Sequence, residues 1–355
     1  MVPDLRVRRR STLGARFDPR ANSLNAIRLG LALLVLVAHA WELGGYGLET
    51  QFLGPLAVAG FFAISGFLIT MSRSRTTKLS DFLRRRIARI FPAFLVVLVV
   101  TAFLFAPFAS LLLGGGTWTP GAALGYVMRN AALWPVQPTI PGMLETLPFP
   151  GVWNGSLWTL SYEFGCYIVT GVVGCLVTRR STRATAALWV VSATISLTTS
   201  ADLLSLPHVV VTLCTLLCAY MSGALLFLWR DRIPHAPWLI ALAFATIVIG
   251  VALRIAPGIL GPAIAYVLIA LGAALPLRIG SRNDISYGVY IYAFPVQQML
   301  ALLLSGTGTP VAGYLALSII FTLPLAWASW LAVERPAMRL GTGPRRRSRR
   351  ERLTV

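Results

Sequence analysis

Charged residues are scarce in this chain, and lysine occurs only once and histidine three times. Aspartate, glutamate, lysine and arginine together make up 12% of the 355 residues, whereas apolar residues make up 56%. A soluble domain has about 25% charged residues. The composition therefore excludes an ordinary soluble enzyme and a disordered chain. It is typical of an all-α polytopic membrane protein, and about ten spans fit because each needs about 20 apolar residues.

Cysteine is also rare, with four residues that all fall in apolar stretches. This excludes a secreted scaffold held together by disulfides. Cys214 and Cys218 are four residues apart on one face of a predicted helix, as two metal ligands could be. No histidine or further cysteine accompanies them, so buried packing is the favoured interpretation and no metal site is predicted.

Positive charge is abundant, since 31 lysine and arginine residues face 12 acidic ones. A soluble protein this basic would suggest nucleic acid binding, but here the cations lie in short runs between apolar segments. With ten spans, only Arg129 and Arg254 lie on the side opposite the two termini. Positively charged loops stay in the cytoplasm, so both termini are predicted to be cytoplasmic and no nucleic acid partner is expected. The predicted spans are 25–43, 53–71, 90–112, 154–177, 184–200, 207–229, 237–254, 259–278, 285–304 and 311–332.

The predicted organisation has three parts. Residues 1–23 are expected to form a disordered basic cytoplasmic arm, residues 24–334 a ten-helix membrane domain, and residues 335–355 a basic cytoplasmic tail. The longest outer loop, 113–153, is rich in proline and contains several tryptophans. It could cover a binding site or be a flexible connector, and a segment such as 121–134 could lie on the membrane surface as a short helix.

Ionisable side chains inside a span are costly and point to function. His39, Glu42 and Glu163 are the histidine and carboxylates placed well inside predicted spans. His39 and Glu42 share a helix face, and Arg28 lies on that face three turns earlier. A histidine with a nearby carboxylate can act as a general base, whereas the alternative is a polar cluster that only fixes helix packing.

Other charged groups lie at the cytoplasmic ends of predicted spans. Asp284 and Glu334 are explained there by helix capping and by side chains that reach toward water. Arg86 and Arg89 share a face at the start of the third span, and guanidinium groups suit phosphates. The alternative is that these arginines only set the membrane topology.

Six blocks of sequence follow one another in order along the chain. They are Asn25 to His39, with its Arg-x10-His motif, Gly60 to Thr70, Arg84 to Pro92, with Arg86-x-x-Arg89, Ser156 to Glu163, Ile285 to Tyr292, and Glu334-Arg335-Pro336. Together they resemble the acyltransferase 3 family of integral membrane acyltransferases. Two departures are Thr159, where the family has serine, and the stretch after Tyr292, which lacks the usual pattern. Neither changes Arg28 or His39.

The resemblance implies transfer of an acyl group, commonly acetyl, from cytoplasmic acyl-CoA to a hydroxyl group. The acceptor is usually a carbohydrate or glycolipid of the cell envelope, and the protein would lie in the bacterial cytoplasmic (inner) membrane. Acyl-CoA is then a co-substrate, with no bound cofactor. The expected partners are acyl-CoA, the hydroxyl acceptor and membrane lipids.

The resemblance also suggests residue roles. His39 would be the general base, and either Glu163 or Glu42 would orient it. Direct attack and an acyl-His39 intermediate both remain possible. Donor binding falls to Arg28, Arg85, Arg86 and Arg89, and oxyanion or acceptor contacts fall to Ser65, Ser161, Tyr287, Tyr290 and Trp158.

Two other functions use similar features. A proton-coupled exporter of a glycolipid or small molecule would also need buried histidine, glutamate and arginine, although the chain lacks the internal repeats common in transporters. A non-catalytic membrane scaffold would not depend on His39.

Overall fold

The computed structural model describes residues 11–47, 50, 52–134, 137–176, 178–280 and 283–341. The regular secondary structure of these residues is helical, apart from three isolated β-bridges. Two π-helical segments, Thr101–Phe105 and Trp330–Glu334, join neighbouring helices. The helices are α1 (Leu13–Arg16), α2 (Leu24–Leu43), α3 (Leu53–Ser74), α4 (Leu79–Val100), α5 (Ala106–Leu112), α6 (Pro120–Asn130), α7 (Trp158–Val173), α8 (Thr178–Ser200), α9 (His208–Trp229), α10 (Pro237–Ala252), α11 (Gly261–Ala274), α12 (Ser286–Leu303), α13 (Val311–Ser329) and α14 (Arg335–Gly341).

Within the described ranges, five helical segments are long and apolar enough to cross a membrane, which fits an integral membrane protein. Helices α10 and α11 are apolar but shorter. A helix lies in every range predicted to span, while the number of spans and the side of the termini stay predictions. The five segments are Leu24–Leu43, Leu53–Ser74, Leu79–Leu112, His208–Trp229 and Val311–Gly341.

The third and tenth predicted spans are parts of longer helices. The third helix begins at Leu79 and continues through a π-helical segment to Leu112, whereas the prediction started at residue 90. Arginine is a good helix former, so helix begins well before the apolar run does. The arginines from Arg84 to Arg89 consequently lie in the first three turns of α4. We call this end of the bundle, where α3 ends and α4 begins, the basic end.

Helices α3 and α9 form the closest contact in the core. A Cβ atom on Gly66 would lie 1.8 Å from the carbonyl oxygen of Tyr220, and one on Gly223 would lie 1.9 Å from that of Ala63. Small residues let membrane helices approach to backbone contact. Helix α2 packs against α3 and also against α12.

Part of the predicted disordered arm is ordered. Leu13 is fully buried, its amide donates to the carbonyl of Ile233 at 2.8 Å, and the ring of Phe17 lies 5.0 Å from that of Phe67. The prediction for residues 1–23 is therefore wrong for 11–23, because these apolar side chains anchor the segment. Residues 1–10 lie outside the described part, as do 342–355 of the predicted tail.

The long loop 113–153 is packed against the bundle. It contains α6, which covers most of the predicted segment 121–134, and Trp153 is fully buried. The side chain of Gln298, on α12, donates to the carbonyls of Phe149 and Val152 at 2.8 and 2.7 Å. These contacts disfavour the flexible-connector interpretation and place the loop over one end of α12.

Candidate active site

Helix α2 carries its two motif residues into two separate cavities. The first, which we call the arginine cavity, has a volume of about 280 Å³ and lies at the basic end. All four predicted donor residues line it, together with Ser65 from α3 and Tyr167 from α7. Its charged and hydroxyl-bearing lining residues are Arg28, Ser65, Arg85, Arg86, Arg89, Tyr167 and Asp284.

Asp284 joins two of the arginines. Its Oδ2 accepts from Arg28 Nη1 at 2.6 Å and from Arg89 Nη2 at 2.7 Å, while Oδ1 accepts from the Ser286 hydroxyl at 2.6 Å. Burial by itself raises the pKa of Asp284, but Arg28, Arg89 and Ser286 outweigh burial and lower that pKa to about 2. Asp284 does cap α12, through the amide of Ser286, yet its main partners are these arginines.

Glu334 is the second carboxylate of this network. Its side chain is fully buried, and it accepts from Arg89 Nη1 and from the Ser329 hydroxyl, both at 3.3 Å. The expectation that Glu334 reaches toward water is therefore wrong. The π-helical segment lets the last helix continue past the predicted end at 332, which keeps Glu334 inside the bundle.

Arg86 differs from Arg28 and Arg89, because no carboxylate pairs with it in the described part of the chain. Its Nε is buried without a hydrogen-bond partner, and its guanidinium lies 5.8 Å from the ring centre of Phe82 and 5.9 Å from that of Tyr167. Arg85 donates to the Thr76 hydroxyl and to the carbonyl of Asp81. The positive charge of Arg86 is thus available to an anionic ligand.

The second cavity, which we call the histidine cavity, has a volume of about 390 Å³. It contains His39 and Glu42, which lie on one face near the end of α2. Its other walls come from α3, α9 and the segment that leads into α7. The polar and aromatic lining residues are His39, Glu42, Ser156, Trp158, Thr159, Thr212, Thr215 and Tyr290.

His39 itself is partly buried. Its Nδ1 is buried and has no hydrogen-bond partner, and its ring packs edge-on against Phe294 with 5.3 Å between ring centres. Buried polar atoms usually have a partner. The imidazole of His39 also lines the cavity, and this position suits it to bind a hydroxyl group there.

Glu163 binds two residues that line the arginine cavity. Its Oε1 accepts from the Ser65 hydroxyl at 3.0 Å and from the Tyr167 hydroxyl at 2.5 Å, and both donors line that cavity. Glu42 shares the histidine cavity with His39. Of the two carboxylates proposed to orient the imidazole, the structure brings Glu42 near it and gives Glu163 other partners.

The predicted oxyanion and acceptor contacts also separate. Trp158 and Tyr290 line the histidine cavity, whereas Ser65 lines the arginine cavity. Ser161 and Tyr287 line neither cavity. Their hydroxyls donate to the carbonyls of Trp158 and Ile90, respectively. The Tyr290 hydroxyl donates to the carbonyl of Ser156 at 3.0 Å and lies 2.6 Å from the Thr159 hydroxyl.

Ser156 was missed as a site residue. It is 2% exposed, lines the histidine cavity, and has an unpartnered hydroxyl. The sequence signal was present, because Ser156 opens the block that ends at Glu163. Serine is common and uncharged, however, so the search for ionisable residues inside spans did not select Ser156.

A family of known proteins and two relatives match the chain along most of its length. The acyltransferase domain family matches residues 21–331. The chain is 30% identical to an O-acetyl transferase of Shigella phage Sf6, over 87% of this chain and 94% of that protein. It is 29% identical to Nodulation protein 10 of Rhizobium leguminosarum bv. viciae, over 90% of this chain and 94% of that protein. It is also 29% identical to acyltransferase MdmB of Streptomyces mycarofaciens, over 42% of this chain and 38% of that protein.

No solved structure matches the chain. The family match nevertheless includes the histidine cavity, most of the arginine cavity and the helix that connects them. The chain belongs to the acyltransferase 3 family.

Proposed function

We propose that this protein is a membrane O-acyltransferase that moves an acyl group, most simply acetyl, from cytoplasmic acyl-CoA to a hydroxyl of a carbohydrate or glycolipid. One observation carries the proposal. The predicted donor-binding residues line one cavity, His39 lines a second cavity, and helix α2 contributes residues to both. The name of the Shigella phage relative supports acetyl as the transferred group.

The arginine cavity suits the donor. Coenzyme A carries a pyrophosphate and a 3′-phosphate, and guanidinium groups bind phosphates through two hydrogen bonds at once. Arg86 supplies an uncompensated charge, while Asp284 and Glu334 hold Arg28 and Arg89 in place. The thiol-bearing arm would extend from this cavity toward His39.

The histidine cavity suits the acceptor. His39 takes the proton of the acceptor hydroxyl as its oxygen attacks the thioester carbonyl, and the C–S bond breaks to release the CoA thiolate, which is then protonated. Glu42 would stabilise the imidazolium, and the Ser156 hydroxyl would donate a hydrogen bond to the oxyanion. The Tyr290 hydroxyl already donates to the Ser156 carbonyl. Direct transfer in a ternary complex, with one substrate in each cavity, is favoured over an acyl-His39 intermediate.

Orientation follows from charge. The basic end would face the cytoplasm, with both termini on that side, ten spans in residues 24–334, and the protein in the bacterial inner membrane. The long loop 113–153 would then lie outside, next to the acceptor.

The test is thiol release from acetyl-CoA by the purified protein with glycan or glycolipid acceptors. His39→Ala should lower the transfer rate by about 10²–10⁴-fold, the usual contribution of a general base. His235→Gln is the control, because the His235 ring contacts the carbonyl of Ala270 and lines neither cavity. A His39→Ala protein with more than half of the wild-type rate would refute the mechanism, and a protein that moves a glycolipid without releasing thiol would support the exporter alternative.

A further inference from the structure

A third cavity lies at the basic end, between α3, α7, α8 and α9, and has a volume of about 530 Å³. Seven of its lining residues carry hydroxyl groups, and two are arginines. No carboxylate lines it in the described part of the chain. We call it the hydroxyl cavity. Its polar lining residues are Thr70, Arg73, Ser74, Arg75, Thr76, Thr77, Thr170, Cys175, Ser181 and Thr185.

Arg73 is the main charge in this cavity. It is 6% exposed, and its donors go to neutral acceptors: the carbonyls of Gly171, at 3.1 Å, and Thr76, and the sulfur of Cys175, at 3.2 Å. A buried charge is costly unless an opposite charge accompanies it. Arg28 and Arg89 have Asp284 for this purpose, whereas Arg73 has no described carboxylate.

The surrounding backbone is shaped around Arg73. A Cβ atom on Gly174 would lie 2.5 Å from Cγ of Arg73, so only glycine leaves room for the side chain. A second polar group also lacks a partner, because the Thr70 hydroxyl is buried, lines the cavity and makes no hydrogen bond. A residue with an uncompensated guanidinium and a residue with an unpartnered hydroxyl therefore line the same cavity.

Thr76 hydrogen-bonds a lining residue of the hydroxyl cavity and a lining residue of the arginine cavity. Arg73 donates to the Thr76 carbonyl, and Arg85, which lines the arginine cavity, donates to the Thr76 hydroxyl. The opposite wall of the hydroxyl cavity is apolar and comes from α9, with Met221, Ala224 and Leu228. The cavity thus combines a cationic polar side with an apolar side.

We propose that the hydroxyl cavity binds a phosphate group attached to an apolar or aromatic body. Two sources have this chemistry: the nucleotide end of acyl-CoA and an anionic phospholipid. The first source rests on the proposed function, whereas the second does not. In either case Arg73 and Arg75 supply the positive charge, and the Thr70 hydroxyl supplies a hydrogen bond.

Cys175 provides a reporter for occupancy. It contacts Arg73, and it is exposed, whereas the other three cysteines are buried. The full-length protein is placed in lipid nanodiscs of phosphatidylcholine, and alkylation of Cys175 by a soluble maleimide is followed by peptide mass spectrometry. The probes are acetyl-CoA, adenosine 3′,5′-bisphosphate and inorganic phosphate in separate samples, and nanodiscs that also contain phosphatidylglycerol.

We expect at least one probe to slow Cys175 alkylation several-fold, and we expect Arg73→Gln and Arg75→Gln to weaken this protection. Arg75 is exposed, so its variant folds even if the Arg73 variant does not. Arg230→Gln is the matched control, since Arg230 pairs with Asp231 and lies outside the cavity.

Protection by acetyl-CoA and the bisphosphate identifies the nucleotide as the ligand, and protection by phosphatidylglycerol alone identifies a lipid. Both outcomes support a phosphate site, and the lipid outcome leaves the proposed reaction untouched. Equal alkylation with and without every probe overturns the inference, as does protection that persists in Arg75→Gln and is lost in Arg230→Gln. Thiol release from acetyl-CoA, measured separately, reports on the proposed function.

Discussion

Ser156 and Ser161 lie in one segment, yet their hydroxyls have different surroundings. The Ser161 hydroxyl donates to the carbonyl of Trp158 and lines neither substrate cavity. The Ser156 hydroxyl is buried beside His39's cavity without a partner. A buried unpartnered hydroxyl costs stability, so it is best explained by a ligand that completes its hydrogen bonding.

Ser156→Ala should therefore lower kcat by about 10²-fold if the hydroxyl stabilises the oxyanion, as removal of one such donor does elsewhere. Ser161→Ala should leave kcat unchanged. Steady-state rates of thiol release from acetyl-CoA compare the two variants. Equal rates for both would remove Ser156 from the proposed site.

Close packing of α3 on α9 is the feature that matters most at the scale of helices. Gly66 and Gly223 bring the two backbones together, and each faces a carbonyl of the opposite helix. Helix α3 also carries Val58 and Ala59 into the histidine cavity and Ser65 into the arginine cavity. A change in this packing would therefore move the walls of both cavities.

Gly66→Ala is expected to destabilise the protein by about 1–3 kcal/mol or more, because overpacking a core forces the backbone to shift. Gly165→Ala, on α7, is the control. No atom lies within 4 Å of a Cβ placed there, so alanine should be tolerated or should stabilise the helix by about 0.5–1 kcal/mol. Thermal unfolding in detergent measures both, and equal melting temperatures would contradict the packing argument.

Asp284 connects three helices, since it precedes α12 and binds arginines of α2 and α4. Its pKa is lowered from 3.8 to about 2 in the folded protein, where the arginines outweigh burial. A carboxyl whose folded pKa lies below its unfolded pKa stabilises the fold above the unfolded value. That stabilisation is lost as the pH falls from about 4 to about 2.

Asp284→Asn should lower the free energy of unfolding at neutral pH by about 3 kcal/mol, because it leaves two buried arginines without their shared partner. Between pH 4 and 2, the wild type should lose about 2 kcal/mol that the variant does not lose. Denaturant unfolding at several pH values tests both effects. Asp231→Asn is the control, as Asp231 is largely exposed, and a similar loss there would argue against a specific role for Asp284.

For the whole molecule, the arginine cavity and the histidine cavity lie along α2. Arg28 and His39 are eleven residues apart, which corresponds to about 16 Å along a helix. The arginine cavity is at the basic end, and the part of the loop around Phe149 and Val152 lies over one end of α12. In the proposed orientation, the CoA head group binds from the cytoplasm and need not cross the membrane.

Oriented vesicles test this arrangement. With acetyl-CoA sealed on the side of the basic end and an impermeant acceptor on the other side, product should form, because the acyl arm spans the distance between the cavities. Product that forms only when both substrates are on the cytoplasmic side would reject transfer across the membrane. It would leave the family assignment unaffected.

Much of the helical framework could be predicted from the sequence, because long apolar runs indicate spans and the arginine runs indicate their ends. Arg28, His39 and Glu42 could be placed on one face because they share a helix. The start of α4 at Leu79 could not be predicted, because hydropathy indicates which residues are apolar enough to lie in a membrane and does not indicate where a helix begins.

The partners of the charged residues were beyond the reach of the sequence. Arg89 binds Asp284 and Glu334 from positions 195 and 245 residues away, and Glu163 turns to Ser65 and Tyr167. Such contacts depend on how distant helices pack. The arginine content of residues 1–23 predicted disorder, but Leu13 and Phe17 anchor part of this segment because their apolar side chains are buried against the bundle.

The separation of the two cavities has a consequence for kinetics. In the proposed reaction, each substrate enters and leaves through its own cavity, so neither must wait for the other. Initial-rate plots at several acceptor concentrations would then intersect, and free CoA would compete with acetyl-CoA but not with the acceptor. An acyl-His39 enzyme would give parallel lines instead, so the pattern of the initial-rate lines distinguishes the two chemical routes.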